Sequence, residues 1–394
     1  IVDCFQTLNK IPELTWLFRI CLVIIHVACS APFRLPGFYL YMVLLSLYSA
    51  FGVWDIIVVS SDLETCMNDF IPVLGLVSIV INSFGFYTNR RTLETMIKEV
   101  YDDWFSVNIS KSSHVVIEKN IKIARIVSYL VMAGYGFIGI SLPLKAVVSY
   151  LIHDVNGREY VLPAAFPWEG RQSPTYELIT ITQFLACSSG VYCCAVFEGQ
   201  LAFLVLHACS KVHIVREEIA MLSQSSQESS SEYLNTIIKR ISRKHSEFLK
   251  FSENLEDAFS LISFVHVTGL TLILVFAGFT VMVAVERRDP VAAINYIVFL
   301  LAFLLTSVIY CYAGEYLTNQ SDTIVFDIAY CPWYDFPLIY RKHVHFMLMR
   351  AQVPVTLTAG KFNQLSLVLL SSVSHCLNHP LKSMKQPAVS PAVV

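Results

Sequence analysis

Charged residues are scarce in this chain of 394 residues. Asp, Glu, Lys and Arg make up 15% of the sequence, whereas a soluble globular protein carries about 25%. Hydrophobic residues make up 55%, and the mean hydropathy is +0.58. The apolar residues form repeated runs that approach the length needed to cross a bilayer. The composition therefore predicts a polytopic helical membrane protein rather than a water-soluble one.

The sequence also lacks the motifs that usually indicate catalysis, metal binding or nucleic-acid binding. The net charge is −2, so the chain offers no basic field for nucleic acid. Its eleven cysteines are scattered, with no Cys-x-x-Cys pair and no metal-like spacing with histidine. We find no nucleophile elbow, no phosphate-binding loop and no paired carboxylates. We therefore expect no enzyme, no cofactor, no metal site and no nucleic-acid partner.

Hydropathy divides the chain into five parts. The first is an N-terminal segment with a short apolar run, which we interpret as an interfacial helix because it is too short to span a membrane. Transmembrane helices one to six follow, then a polar, aromatic and basic region, a seventh helix, and an atypical tail. The boundaries are 1–37 with the short helix at 17–29, 38–313, 314–352, 353–378 and 379–394.

Basic residues predict the orientation of these spans. With the N-terminus inside, the inner loops and the N-terminal segment hold 20 Lys and Arg, and the outer loops and the tail hold 6. Loops rich in Lys and Arg stay in the cytosol. We therefore expect an all-α membrane protein with seven transmembrane helices, a cytosolic N-terminus and an extracellular C-terminus. This orientation is the reverse of a G-protein-coupled receptor, whose Asp/Glu-Arg-Tyr and Asn-Pro-x-x-Tyr motifs are also missing.

Two blocks of the sequence carry specific motifs. The C-terminal block contains Gly314-Glu-Tyr-Leu-Thr-Asn-Gln-Ser321, then Ala329-Tyr-Cys-Pro-Trp333, then the run from Pro354 to Phe362. It resembles the C-terminal signature of insect odorant receptors. The loop Leu162-Pro-Ala-Ala-Phe-Pro-Trp168, followed by Ser173-Pro-Thr-Tyr-Glu177, is similar to the second outer loop of that family. The resemblance extends over most of the chain in the order of spans and loop lengths.

The resemblance implies an odorant-gated, non-selective cation channel. Such receptors form heterotetramers with a shared olfactory co-receptor in the plasma membrane of olfactory neuron dendrites, where they contact lipid and bind small volatile odorants. It implies that the region 314–352 mediates assembly through its aromatic residues and that the seventh helix lines the pore. The candidates are Trp333, Tyr334, Phe336 and Tyr340 for assembly, and Leu369, Val373 and Leu377 for the pore. After Ser366 the sequence departs from the family pattern and becomes polar.

The resemblance also implies an odorant pocket in the outer half of the bundle, among spans two, three, four and six. Such a pocket is apolar with few polar groups, and it would sort volatile ligands by shape, at about 0.8 kcal/mol per buried methylene. The candidate lining residues are Val73, Leu74, Phe137, Ile138, Ser141, Ile179, Gln183, Ile294 and Tyr296.

Three other kinds of membrane protein are the alternatives. A gustatory-type receptor or a non-conducting membrane chemoreceptor would share the apolar bundle. The gustatory branch usually carries Thr-Tyr-x-x-x-x-x-Gln-Phe at the end of its seventh span, and this sequence has nothing similar. A secondary transporter would show inverted repeats, and we find no internal repeat.

Overall fold

The computed structural model describes residues 35–58, 63–106, 110–152, 160–166, 170–224, 231–288 and 290–373. The predicted interfacial helix at 17–29, the tail at 379–394 and the pore candidate Leu377 lie outside the described residues.

The described chain is almost entirely helical, as the composition predicts. Two short strands near the C-terminal end form an antiparallel hairpin. The elements are α1 (Leu35–Val58), α2 (Leu63–Thr88), α3 (Arg90–Trp104), α4 (Lys111–Ile152), α5 (Thr175–Ser223), α6 (Ser231–Glu286), α7 (Pro290–Tyr330), a 3-10 turn (Trp333–Asp335), α8 (Leu338–Ala351), β1 (Thr358–Ala359), β2 (Asn363–Gln364) and α9, a helix at 367–373.

Six helices in the described part of the chain are long and apolar enough to cross a membrane: α1, α2 and α4 to α7. Several are much longer than the roughly 20 residues that a span requires. Helix α5 has 49 residues and α6 has 56, which at 1.5 Å per residue is about 74 and 84 Å. Much of the polar sequence expected between the spans therefore continues the spans as helix.

Helix α5 is the centre of the bundle. Of its most apolar window, 78% is buried, compared with 22% for α1 and for α4. It packs against α4, α6 and α7, and Phe197 stacks on Phe86 of α2 with ring centroids 3.8 Å apart. An apolar helix buried on all sides is shielded from lipid by its neighbours, so α5 is the helix around which the others are arranged.

The largest apolar core lies at one end of the bundle, which we call the anchor end. It joins α3 and α8 to the parts of the long helices at 196–222, 234–262 and 310–328.

Charged side chains are paired beside this core. Lys211 Nζ lies 2.6 Å from Asp103 Oδ2 and 2.7 Å from Glu99 Oε1, and His207 Nε2 lies 3.1 Å from Asp103 Oδ2. Burial alone raises the pKa of Asp103, but the hydrogen bond from His207 and the charge of Lys211 outweigh burial and lower it to about 2. This network joins α3 to α5.

The helix that we expected over 353–378 begins only at residue 367. Residues 353–366, which we call the strap, are non-helical and contain the hairpin. Proline 354 cannot donate a helical hydrogen bond, and Gly360 and Lys361 have left-handed φ values of 64° and 63°. A left-handed pair ends a right-handed helix, so the chain turns here before α9 starts.

Charged and small side chains of α6 and α7 hold the strap. The carboxylate of Glu256 accepts hydrogen bonds from the backbone N–H of Thr358, at 2.8 Å, and from its hydroxyl. Glu315 Oε2 accepts from the backbone N–H of Leu367 at 2.8 Å, at the start of α9. A Cβ on Gly314 would lie 2.6 Å from the Cβ of Leu365, so only glycine lets the strap approach α7 this closely. The Gly-Glu motif therefore positions the strap and α9.

Candidate functional site

A narrow cavity lies among α2, α4, α5, α6 and α7 at the other end of the bundle, which we call the loop end. Its volume is about 70 Å³, several times what one water molecule needs. Leu162 of the loop covers it, and Ile138 of α4, Phe299 and Phe303 of α7 form apolar walls. This combination of an apolar wall and a few polar groups is typical of a small-molecule site.

The side chain of Gln183 fastens the loop over this cavity. Its Oε1 accepts a hydrogen bond from the backbone N–H of Leu162 at 3.2 Å, and its Nε2 donates to the Leu162 carbonyl at 3.3 Å. Gln183 is fully buried, so these bonds satisfy polar groups that water cannot reach. The amide holds Leu162 in place as a cover.

Three polar residues lie at the far end of the cavity from Leu162. Glu198 of α5 lies about 34 Å from the start of its helix, at 1.5 Å per residue. The hydroxyl of Tyr135 donates to its Oε1, and His266 Nδ1 lies 3.6 Å from the same oxygen. All three residues line the cavity. We call Tyr135, Glu198 and His266 the polar floor.

The hydrogen bonds of His266 show how the polar floor is fixed. Its Nε2 lies 2.9 Å from the Ser307 hydroxyl oxygen. The Ser307 hydroxyl donates its only hydrogen to the backbone carbonyl of Phe303, so the oxygen accepts from His266 and Nε2 carries the proton. The imidazole also stacks on Tyr310, with centroids 4.5 Å apart and planes 5° apart. The ring therefore has one defined orientation, with Nδ1 towards Glu198.

Two acceptor atoms beside the cavity are unused. Glu198 Oε2 and Asn82 Oδ1 are buried and make no hydrogen bond with any residue that the structure describes. Both residues line the cavity. Glu198, His266 and Asn82 were not among the residues predicted from the sequence. The available signal was the ionisable Glu198 within a long apolar run, because such a residue in a span usually has a function.

Only Ile138 of the nine predicted pocket residues lines this cavity. Val73 is buried against α1, and Leu74 and Tyr296 pack in a separate apolar cluster. Ser141 and Ile179 lie outside the lining, and Gln183 acts through the loop. Phe137 and Ile294 are 51% and 58% exposed and point away from the bundle. Helical spacing identified the right spans but not the inward faces, since these spans are apolar on all sides.

The predicted assembly and pore residues differ in exposure. Tyr334 is 61% exposed, and Trp333 and Tyr340 are half-buried. Phe336 is 3% exposed because it packs in the core of the anchor end, so it supports the surface from within rather than contacting a partner. Leu369 packs on the same core and Val373 is half-buried at the end of the described chain. In the described residues, no cluster of His, Cys, Asp or Glu could hold a metal ion.

Comparison with known proteins decides the family. The family described as 7tm Odorant receptor matches residues 62–377, which is most of the chain. The chain belongs to the odorant receptor family. Among its relatives, Odorant receptor 13a of Drosophila melanogaster is 23% identical over 343 residues, covering 82% of this chain and 79% of that receptor. Odorant receptor 63a of the same species is 27% identical over 223 residues, covering 54% and 51%. The receptor is therefore a ligand-binding membrane protein rather than an enzyme.

The solved structures of a distant receptor share this fold. The insect olfactory receptor OR5 from Machilis hrabei matches with a TM-score of 0.74 at 14% identity, covering 98% of this chain and all of the other. The structure of that protein in complex with eugenol matches with a TM-score of 0.73 at 15% identity. The likeness confirms the predicted all-α, multi-pass bundle.

Proposed function

We propose that this receptor is the odorant-binding subunit of a ligand-gated, non-selective cation channel that assembles with the olfactory co-receptor. The observation that carries the proposal is the cavity at the loop end: its walls are mainly apolar, Leu162 lies over it, and it has a polar floor. Its volume of about 70 Å³ is smaller than the roughly 150 Å³ of a cavity that holds benzene. A volatile ligand would therefore push side chains such as Phe299 and Phe303 outward as it binds.

Helix α6 offers a route from the cavity to α9. His266 faces the cavity, and Ser260, about 9 Å along the same helix, accepts a hydrogen bond from the backbone N–H of Gly360 at 2.9 Å. Glu256 binds the strap one turn further on. A ligand that displaces α6 would move the strap, and the strap would move α9, where we place the pore through Leu369 and Val373.

Exposed apolar side chains support assembly at the anchor end. Tyr334, Leu338, Ile339 and Phe346 are each more than 60% exposed, which is unusual for a face left in water. We propose that this face contacts the neighbouring subunit, with Trp333 and Tyr340 supporting it. The excess of basic residues supports a cytosolic anchor end, and we propose the plasma membrane of sensory dendrites as the site of action.

Voltage-clamp recording tests this function. We expect volatile-evoked cation current when the receptor and an insect co-receptor are expressed together, and no current from the receptor alone. Surface labelling must show equal amounts of receptor in both cells. A current of the same size without the co-receptor would contradict the heteromer, and a surface-expressed pair that stays silent to a broad panel of volatiles would contradict the channel.

A further inference from the structure

The polar end of the cavity restricts the class of ligand. Glu198 is 4% exposed, and its Oε2 is buried and unpartnered among the residues that the structure describes. A buried acceptor without a donor costs about 1–3 kcal/mol. Asn82 Oδ1 of α2 is also a buried acceptor without a partner among the described residues, and Asn82 lines the same cavity. Two unsatisfied acceptors on one small cavity indicate that something else supplies the donor.

Neighbouring side chains cannot readily supply it. Tyr135 already donates to Glu198 Oε1, and the Nε2 proton of His266 is directed at Ser307 on its other side. The stack of His266 on Tyr310 keeps the ring from turning. The polar floor is therefore fixed, and its open oxygens remain directed at whatever occupies the cavity.

Resting on the proposed function, we propose that this receptor is tuned to small volatiles with a hydroxyl group, that is, alcohols or phenols, whose hydroxyl donates its one hydrogen to Glu198 Oε2 or to Asn82 Oδ1. A hydroxyl both donates and accepts: it donates to Oε2 of a Glu198 carboxylate, and beside a Glu198 carboxylic acid it accepts from Oε2 and donates to Asn82 Oδ1. The hydrocarbon part lies along Ile138, Phe299 and Phe303. An ether of the same shape has no donor, so it leaves Asn82 Oδ1 unpaired in either form of Glu198 and also leaves Oε2 unpaired when Glu198 is a carboxylate.

Matched pairs of ligands test the proposal. Straight-chain 1-alkanols from 1-butanol to 1-octanol are compared with alkyl methyl ethers of equal heavy-atom count, in two assays. The first is the concentration for half-maximal current of the receptor with its co-receptor. The second is the ligand-induced rise in unfolding temperature of the purified receptor. We expect each alkanol to act at a concentration at least about tenfold lower than its ether, because the ether leaves a buried acceptor unpaired.

Substitutions test whether the preference for alkanols over ethers depends on Glu198 Oε2 and Asn82 Oδ1. Glu198→Leu removes the carboxylate, and the preference for alkanols should fall below about threefold. Asn82→Leu changes α2 without touching the polar floor, and it should lower the preference by about threefold, which tests the proposal even where Glu198→Leu does not fold. Ile138→Ala is the control: it enlarges an apolar wall, so it should weaken alkanols and ethers equally and leave their ratio unchanged.

The two assays separate the two proposals. Alkanols that stabilise the purified receptor more than ethers, with no current from any volatile, would support the hydroxyl site and overturn the channel. Equal responses to alkanols and ethers in the wild-type receptor would overturn the hydroxyl site and leave the channel in place. A preference that survives both Glu198→Leu and Asn82→Leu would also overturn it.

Discussion

The two ends of the bundle treat buried polar groups differently. At the anchor end, Lys211 is paired with Glu99 and Asp103, and the carboxylate of Glu256 uses both oxygens on Thr358. Beside the cavity, Glu198 has one oxygen bound to Tyr135 and the other unused. Paired charges favour one geometry of the chain, whereas an acceptor without a partner is available to a ligand that carries a hydrogen-bond donor.

Apolar packing is also more continuous at the anchor end than at the loop end. The apolar core of the anchor end is continuous from α3 to the strap, whereas the loop end is divided into two smaller clusters with a cavity beside them. A continuous, close-packed core resists changes in volume. In the gating that we propose, the anchor end would move as a rigid unit and the loop end would change shape.

The largest expected effect comes from filling the closest contact of the anchor end. In Gly314→Val, the new Cβ would lie 2.6 Å from the Cβ and 2.7 Å from the backbone oxygen of Leu365. The backbone cannot move aside without detaching the strap, and overpacking of this kind costs about 1–3 kcal/mol. We expect odorant-evoked current to fall below about a tenth of the wild-type value in voltage-clamp recordings.

The control for this substitution is a glycine with open space around it. No heavy atom lies within 4 Å of a Cβ placed on Gly134 in α4, and alanine stabilises a helix by about 0.5–1 kcal/mol relative to glycine. Gly134→Ala should therefore give wild-type current and equal surface labelling. Wild-type current from Gly314→Val would show that the strap does not need its close approach to α7.

Sequence motifs pointed to the anchor end without predicting its form. The Gly314-Glu315 pair, which belongs to the motif that resembles the family signature, lies where α7 contacts the strap, but the sequence predicted a helix from residue 353 rather than a strap. The apolar run from Val353 to Leu370 fits a helix by composition, and Pro354 together with the left-handed pair Gly360 and Lys361 interrupts it. Contacts with α6 and α7, which are distant in sequence, outweigh the helix propensity of residues 353–366.

The cavity was harder to predict because lipid-facing and cavity-facing residues are equally apolar. Phe137 and Ile138 are adjacent on α4, yet one faces outward and the other lines the cavity. Without a polar stripe, a helix in lipid gives no sign of which face is inside. Glu198 was the exception, since its burial is expensive in a membrane unless it serves a ligand or a neighbour.

A second prediction compares adjacent carboxylates on α6. Glu256→Gln removes a charge that accepts two hydrogen bonds from Thr358, and bonds to charged groups contribute about 1.5–3 kcal/mol. We expect the unfolding temperature of the purified receptor to fall and hydrogen exchange at 354–365 to accelerate. Asp257→Asn breaks only an exposed pair with Lys361, so its effect should stay within about 1 kcal/mol. Equal effects of the two variants would mean that burial at the anchor end does not strengthen these contacts.

The smallest expected effect concerns the cover of the cavity. Gln183→Leu removes the two hydrogen bonds to the backbone of Leu162 and leaves that backbone unsatisfied, which costs about 1 kcal/mol or more. The loop would open more often, and the current should decay about fivefold faster when the odorant is washed out. Leu185→Val, at an exposed position of the same helix, should leave the decay unchanged. An unchanged decay in Gln183→Leu would show that ligands leave by another route, between the helices rather than past Leu162, and the loop end would then be a fixed wall instead of the part of the bundle that opens.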